Sequence, residues 1–165
     1  MIVEKPAGVL CVSRDKEIAT LSEAVYERVG CEMGSADKMV VHRLGMDTSG
    51  LMIFAKTKTA VRGMNSLFRT RKIHREYEAL VCGHVERDES VIALPLMRDF
   101  QFPPYMRVST DDQQRALLDL DPEDVGKKLL EAPKPSLTKV DVIAREELEE
   151  GLPITRVLLT SISGR

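Results

Sequence analysis

Tryptophan is absent from the 165 residues, and aromatic side chains make up only 4% of them. So thin a supply argues against a surface that stacks the bases of an unpaired strand. Long apolar runs are also missing. The longest, Leu51–Ala55, has five residues, far short of the ~18 needed to span a bilayer. The opening Met-Ile-Val-Glu-Lys-Pro has neither the basic start nor the apolar stretch of a secretory signal. Cysteine is scarce and odd in number: Cys11, Cys31 and Cys82 form no CxxC pair. No metal site is expected from that spacing, and a reducing intracellular compartment suits it better than an oxidising one. Cys11 and Cys82 read as small buried hydrophobes.

What is present suits a soluble domain. At 43% hydrophobic and 30% charged, a chain of this length is expected to form a single domain over residues 1–165. It can bury a core without a disulfide or metal staple. The net charge of −2 hides an uneven distribution. Lys56 to Arg75 holds seven Lys or Arg and no acid, whereas Ser109 to Glu150 holds twelve acids against six bases. A basic run of this kind is either a solvated helix face or a phosphate-contacting one, and composition does not choose between them.

The expected class is α+β, with about six strands and two to four helices. Gly8–Val12 reads as a strand after a Pro-Ala-Gly turn. Thr20 and Glu23 have capping-box spacing ahead of a helix that Gly30 ends. Met39–Val41 and Leu51–Ala55 are strand-like. Thr57–Arg71 is an amphipathic helix with Ala60, Val61, Met64, Leu67 and Phe68 on one stripe. Tyr77–Val81, Thr138–Ala144 and Ile154–Thr160 read as further strands, with Gly151 in the turn between the last two. Asp99–Arg107 reads as loop. The acidic stretch around 109–133 reads as an inserted excursion, helical or without fixed structure. His74 and His84 have no evident partner and read as structural or surface residues.

The chemically dense segment is His42-Arg43-Leu44-Gly45-Met46-Asp47-Thr48-Ser49-Gly50. It gathers an imidazole, a guanidinium, a carboxylate and two hydroxyls on one loop between strands, which is a reasonable place for a site. Asp47, Thr48 and Ser49 also suit a turn that bonds only its own backbone.

Six blocks in order then carry a resemblance: Met1–Val12 (with IVEKPAGVLCV), His42–Ala55, Arg75–Gly83 (REYEALVCG), Leu94–Leu96 (LPL), Lys134–Thr138 (KPSLT) and Ile162–Arg165 (ISGR). Together they resemble the RluA-type RNA pseudouridine synthases of the RsuA/RluA superfamily. The resemblance implies a mixed, largely antiparallel sheet flanked by helices. It implies isomerisation of uridine to pseudouridine in structured RNA (rRNA, tRNA or a small RNA) by a monomer with no cofactor, no metal and no membrane partner. The target nucleotide is extruded from its helix, which costs a few kcal/mol of stacking. An Asp acts as nucleophile, splitting a hard step in two.

Carried over residue by residue, Arg43 matches the arginine that fills the vacated space, and Tyr77 the tyrosine that packs on the everted ring. Arg165 matches the basic residue that keeps the nucleophile ionised. Lys134 matches a lysine near the substrate strand. His42, Arg62, Arg69, Arg71, Lys72 and Arg75 complete the expected RNA-contacting set, the basic ones supplying sequence-independent affinity.

One position departs from the pattern. The family nucleophile stands directly after Arg-Leu, where this chain has Gly45. Asp47, two residues on, is the nearest carboxylate and the expected substitute. In extended backbone it stands about 6.5–7 Å away. Three readings stay open: rescue of catalysis by Asp47, a catalytically inactive RNA-binding module of the same fold, and an altered copy of an active enzyme. A nucleoside-metabolising enzyme or an interaction domain unrelated to RNA has little support in the residues. The family continues beyond Gly-Arg, so a C-terminally truncated sheet is expected here.

Overall fold

A computed structural model describes residues 1–13, 15, 17–99, 101–102, 105–120, 131–149 and 151–163, with backbone only at 113 and 117. The chain divides into two compact units, Met1–Lys72 and Ile73–Arg165.

The first unit opens with β1 (Ile2–Lys5), which pairs antiparallel with β2 (Gly50–Ile53), Val3 opposite Met52. The strand expected at Gly8–Val12 is instead this earlier one. Residues 6–12 form no strand, with a turn at Ala7–Gly8, and Pro6 has no N–H to give a ladder. Between the two strands, α1 (Leu21–Val29) starts in a complete capping box: the Thr20 hydroxyl accepts from the Glu23 N–H, and the Glu23 carboxylate accepts from the Thr20 N–H. Gly30 follows at φ 57°.

The expected strand at Met39–Val41 is also different. Asp37–Met39 is a single 3₁₀ turn, and only Val40 bridges to Phe54. A short apolar run encodes burial and not conformation. Met39 meets that demand from a turn, sharing a fully buried core with Met52 and Phe54, and with Cys11 and Val25. Each such large side chain contributes about 1.5–3 kcal/mol by leaving water.

Helix α2 (Lys58–Arg69) is capped by the Thr57 hydroxyl, which accepts from the Ala60 N–H. Its expected apolar stripe is only half-buried, with Leu67 exposed. The helix stops short of Arg71 in a Schellman motif: the Lys72 N–H donates to Leu67 O and the Arg71 N–H to Phe68 O. Arg71 itself sits at φ 57°, a conformation that costs a residue with a Cβ about 1–2 kcal/mol.

The second unit is built on an antiparallel sheet. Its strands are β3 (Glu76–Cys82), β4 (Glu89–Ala93), β7 (Leu137–Glu147) and β8 (Pro153–Ser161), in the order β3-β8-β7-β4. A separate hairpin pairs β5 (Leu96–Arg98) with β6 (Met106–Val108), so the last two residues of the expected Asp99–Arg107 loop are strand. Val140, Ile154, Thr155 and Val157 supply this unit's buried positions on β7 and β8. The long β7–β8 hairpin turns through Gly151, as read from the sequence.

Every pairing among the described strands is antiparallel, in three sheets, in keeping with the expected α+β class and its largely antiparallel pairing. The acidic excursion leaves beside β5, where the Ser109 N–H donates to Pro95 O. It returns there, where Lys134 bridges Leu96. It carries α3 (Asp111–Leu118), and the remainder, 121–130, lies outside the described residues. Cys11 is buried as expected, but Cys82 is exposed: β3 alternates, and its even-numbered residues face solvent. Among the described residues no helix is long and apolar enough to cross a membrane.

Candidate functional site

The loop His42–Gly50 is held from beneath by Lys5, at the end of β1. Lys5 is fully buried, and its ammonium donates to Pro6 O at 2.8 Å, Val9 O at 2.7 Å and Met46 O at 2.7 Å. An ammonium has three hydrogens, so all are placed. A buried charge without partners would cost several kcal/mol; saturation by three carbonyls offsets that cost. Met46 O also accepts from the Gly8 N–H at 2.9 Å. The Thr48 N–H donates to Gly45 O at 3.2 Å, closing a turn with Met46 and Asp47 at its centre.

Upstream, Leu44 is fixed by Cys11, whose sulfur lies 3.2 Å from Leu44 O and accepts from the Leu44 N–H at 3.4 Å. Downstream, Gly50 enters β2 at φ 131°, which only glycine adopts readily.

His42 is half-buried. Its Nε2 accepts from the Ile53 N–H at 2.9 Å, and its ring centroid lies 5.1 Å from that of Phe68. It thus ties the loop to β2 and α2, and one ring nitrogen is already engaged. Arg43 is exposed. Asp47 is exposed too, and it makes no hydrogen bond or ion pair among the described residues. Gly45 has an ordinary negative-region backbone; a Cβ built there meets only Thr48 Oγ1, at 3.3 Å. The conformation is therefore one that a residue with a side chain can hold.

Four of the expected RNA-contacting basic residues fall on α2 or directly after it. Arg62 and Arg69 stand on α2 and Arg71 and Lys72 follow it, all four exposed. At helical spacing Lys58, Arg62, Asn65 and Arg69 share one face, opposite the apolar stripe.

In the second unit, Tyr77 is half-buried on β3, opposite Leu159. Arg75, just before it, reaches Ser161 Oγ at 3.5 Å. Lys134 pairs with the Glu131 carboxylate. His84 is exposed, with Nε2 3.3 Å from Glu146 O, and His74 is exposed. Arg165 lies outside the described residues. The structure thus gathers His42, Arg43, Gly45 and Asp47 on one braced loop of the first unit, while Tyr77, Arg75 and Lys134 belong to the second. Sequence reasoning passed over Lys5 and Cys11 as supports of that loop. The available signal was a lysine closing an apolar strand directly before a Pro-Ala-Gly turn. No group of three His, Cys, Asp or Glu among the described residues is placed to hold a metal.

The family model described as RNA pseudouridylate synthase matches residues 1–165. The dual-specificity RNA pseudouridine synthase RluA of Vibrio parahaemolyticus is 36% identical over 165 residues, covering 100% of this chain and 56% of that protein. The protein of the same name from Pasteurella multocida is 33% identical over 168 residues, covering 100% and 63%. The chain thus spans little more than half the length of these relatives. Among solved structures, human RNA pseudouridylate synthase domain containing 1 superposes with a TM-score of 0.68 at 24% identity, over 99% of this chain and 56% of its own. That likeness establishes the fold. On the match of the family model along its whole length, this chain belongs to the RNA pseudouridylate synthase family.

Proposed function

We propose that the chain binds structured RNA as a monomer and isomerises uridine to pseudouridine without metal or cofactor, with Asp47 supplying the carboxylate that Gly45 cannot. The reaction breaks the bond between ribose C1′ and uracil N1, rejoins the ring through C5, and releases the C5 proton to solvent while N1 takes up one, so that no atom is gained or lost. The observation that carries the reading is the braced turn. Lys5 and Gly8 both bond Met46 O, so the residue beside Asp47 is fixed while the Asp47 carboxylate stays exposed and unpartnered. A nucleophile needs that combination of a fixed backbone and an accessible side chain. Arg43 would occupy the space left by the everted nucleotide, Tyr77 would pack against the ring, and Arg165 would pair with the carboxylate. The exposed Arg62, Arg69, Arg71 and Lys72, with His42, Arg75 and Lys134, would hold the RNA, Lys134 exchanging its Glu131 partner for a phosphate.

The second reading, RNA binding without turnover, is favoured by Gly45 itself, since a displacement of ~1 Å at a reacting centre can cost about a hundredfold. One assay separates the two. The chain is incubated with transcripts of rRNA, tRNA and small RNAs carrying tritium at uridine C5, and released label is counted. Release from wild type that Asp47→Ala abolishes supports Asp47 as nucleophile. Binding without release supports the inactive module, and absence of both overturns the assignment to RNA.

A further inference from the structure

Beside the braced loop, the first unit carries two adjoining clefts that share Asp37 and Val40. One, of about 440 Å³, is lined by Arg43 and His42 with Val12 and Ser13. The other, of about 490 Å³, has a different character. Lys38 of the 3₁₀ turn and Lys58 and Arg62 of α2 stand around it, over an apolar floor of Met33, Val40 and Val61. Lys58 and Arg62 are one turn apart on α2, and neither makes an ion pair among the described residues. Lys38 has only a long hydrogen bond of 3.4 Å to Met33 O. All three are exposed. Opposing them are Asp37, on the rim, and Glu32, whose carboxylate accepts the Lys58 N–H at 3.2 Å. Three cations thus face two carboxylates, one already committed to a backbone donor.

We infer that this second cleft is a phosphodiester subsite for the RNA strand flanking the target uridine. The strand would run from Arg43 across Val40 to Lys58 and Arg62 and continue along the α2 face toward Arg69. The inference rests on the RNA-binding part of the proposed function and extends it to two residues, Lys38 and Lys58, outside the family blocks. Several features single out a phosphodiester. Separate ammonium and guanidinium groups on two elements match an anion with several oxygens. An apolar floor beside them suits the sugar, and the cleft is continuous with the one holding Arg43. An isolated surface charge run would lack the floor and the continuity.

The test measures affinity of the intact chain for a defined RNA stem-loop between 50 and 200 mM salt. Taking one cation away from a phosphate lowers the slope of log K against log salt by about 0.7–0.9, so K38Q, K58Q and R62Q each shift it by that amount and the triple variant by about 2.1–2.7. K58R and R62K keep the charge and keep the slope. R28Q, which removes an equal charge from exposed α1, leaves it unchanged. Wild-type RNA binding with an unmoved slope in the triple variant overturns the subsite alone. No RNA binding by wild type overturns it together with the reading beneath it. Titration with inorganic phosphate and with uridine monophosphate distinguishes the source of the anion. If these small phosphates bind in a manner abolished in the triple variant while the RNA slope stays fixed, the cleft serves free phosphates and the RNA path is wrong.

Discussion

Gly45→Asp isolates chemistry from scaffold. The substitution puts a carboxylate where the proposed function places the missing nucleophile, and the structure states what it costs. Gly45 is not in the left-handed region, so no backbone strain follows. The new Cβ meets one atom, Thr48 Oγ1 at 3.3 Å, which a few tenths of an ångström or a rotamer change relieves. Replacing glycine at a compatible position removes unfolded-state freedom worth about 0.4–1 kcal/mol, so stability should hold or rise slightly. The gain in rate is larger. A carboxylate offered from Asp47 starts about two residues out of place, and even ~1 Å of misplacement costs about a hundredfold. Tritium release by G45D should therefore exceed wild type by at least about a hundredfold, with RNA affinity little changed. Asp47→Ala should remove nearly all release in the wild-type background and far less in G45D. A folded, RNA-binding G45D no faster than wild type would refute the claim that position 45 limits turnover.

Other perturbations probe the supports. Lys5→Met strips three carbonyls of a charged donor and should destabilise the first unit by about 2–4 kcal/mol, read from urea melts. Thr20→Ala breaks the capping box of α1 and should cost about 1 kcal/mol in the same melts. Arg71→Gly relieves a positive φ and should stabilise by about 0.5–1 kcal/mol, while lowering the RNA salt slope by about 0.7–0.9 where Arg71 meets a phosphate. Lys139 donates to Asp141 at 2.7 Å, and chiefly this bond raises its pKa above 10.5. The pair's contribution is therefore complete below pH 10.5 and fades as pH climbs through the folded value. Lys139→Gln should remove that alkaline component from the pH–stability curve and leave the neutral region's shape unchanged.

The parts of the fold legible in sequence are those whose signal is local. Thr20 and Glu23 announce α1 because a capping box is made within four residues, and the apolar spacing of Ala60, Val61, Met64, Leu67 and Phe68 announces α2. The β7–β8 hairpin is legible through alternation and one glycine turn. Met39–Val41 misleads because its apolarity reports a position in the core, and a 3₁₀ turn delivers Met39 there as well as a strand would. Lys5 is illegible for the opposite reason. Charge predicts exposure, and only the three carbonyls brought by residues 6, 9 and 46 make its burial tolerable. Arg71 shows no sign of left-handed backbone in its identity, since the cost of its φ is offset by the two hydrogen bonds that end α2.

The loop's supports also explain how the fold persists with a glycine at position 45. Lys5 and Gly8 bond Met46 O, Cys11 bonds Leu44, and the Thr48 N–H bonds Gly45 O. Every one of these bonds is made to backbone, and none uses a side chain at position 45. A carboxylate there is therefore not needed to shape the loop. On the proposed function, RNA binding and bond-breaking are therefore expected to be separable. The expected signature is a G45D to wild-type ratio near one for RNA affinity and at least about a hundred for turnover. Were affinity to change in step with turnover, position 45 would be shaping the loop, and the backbone bracing would not be what holds the site.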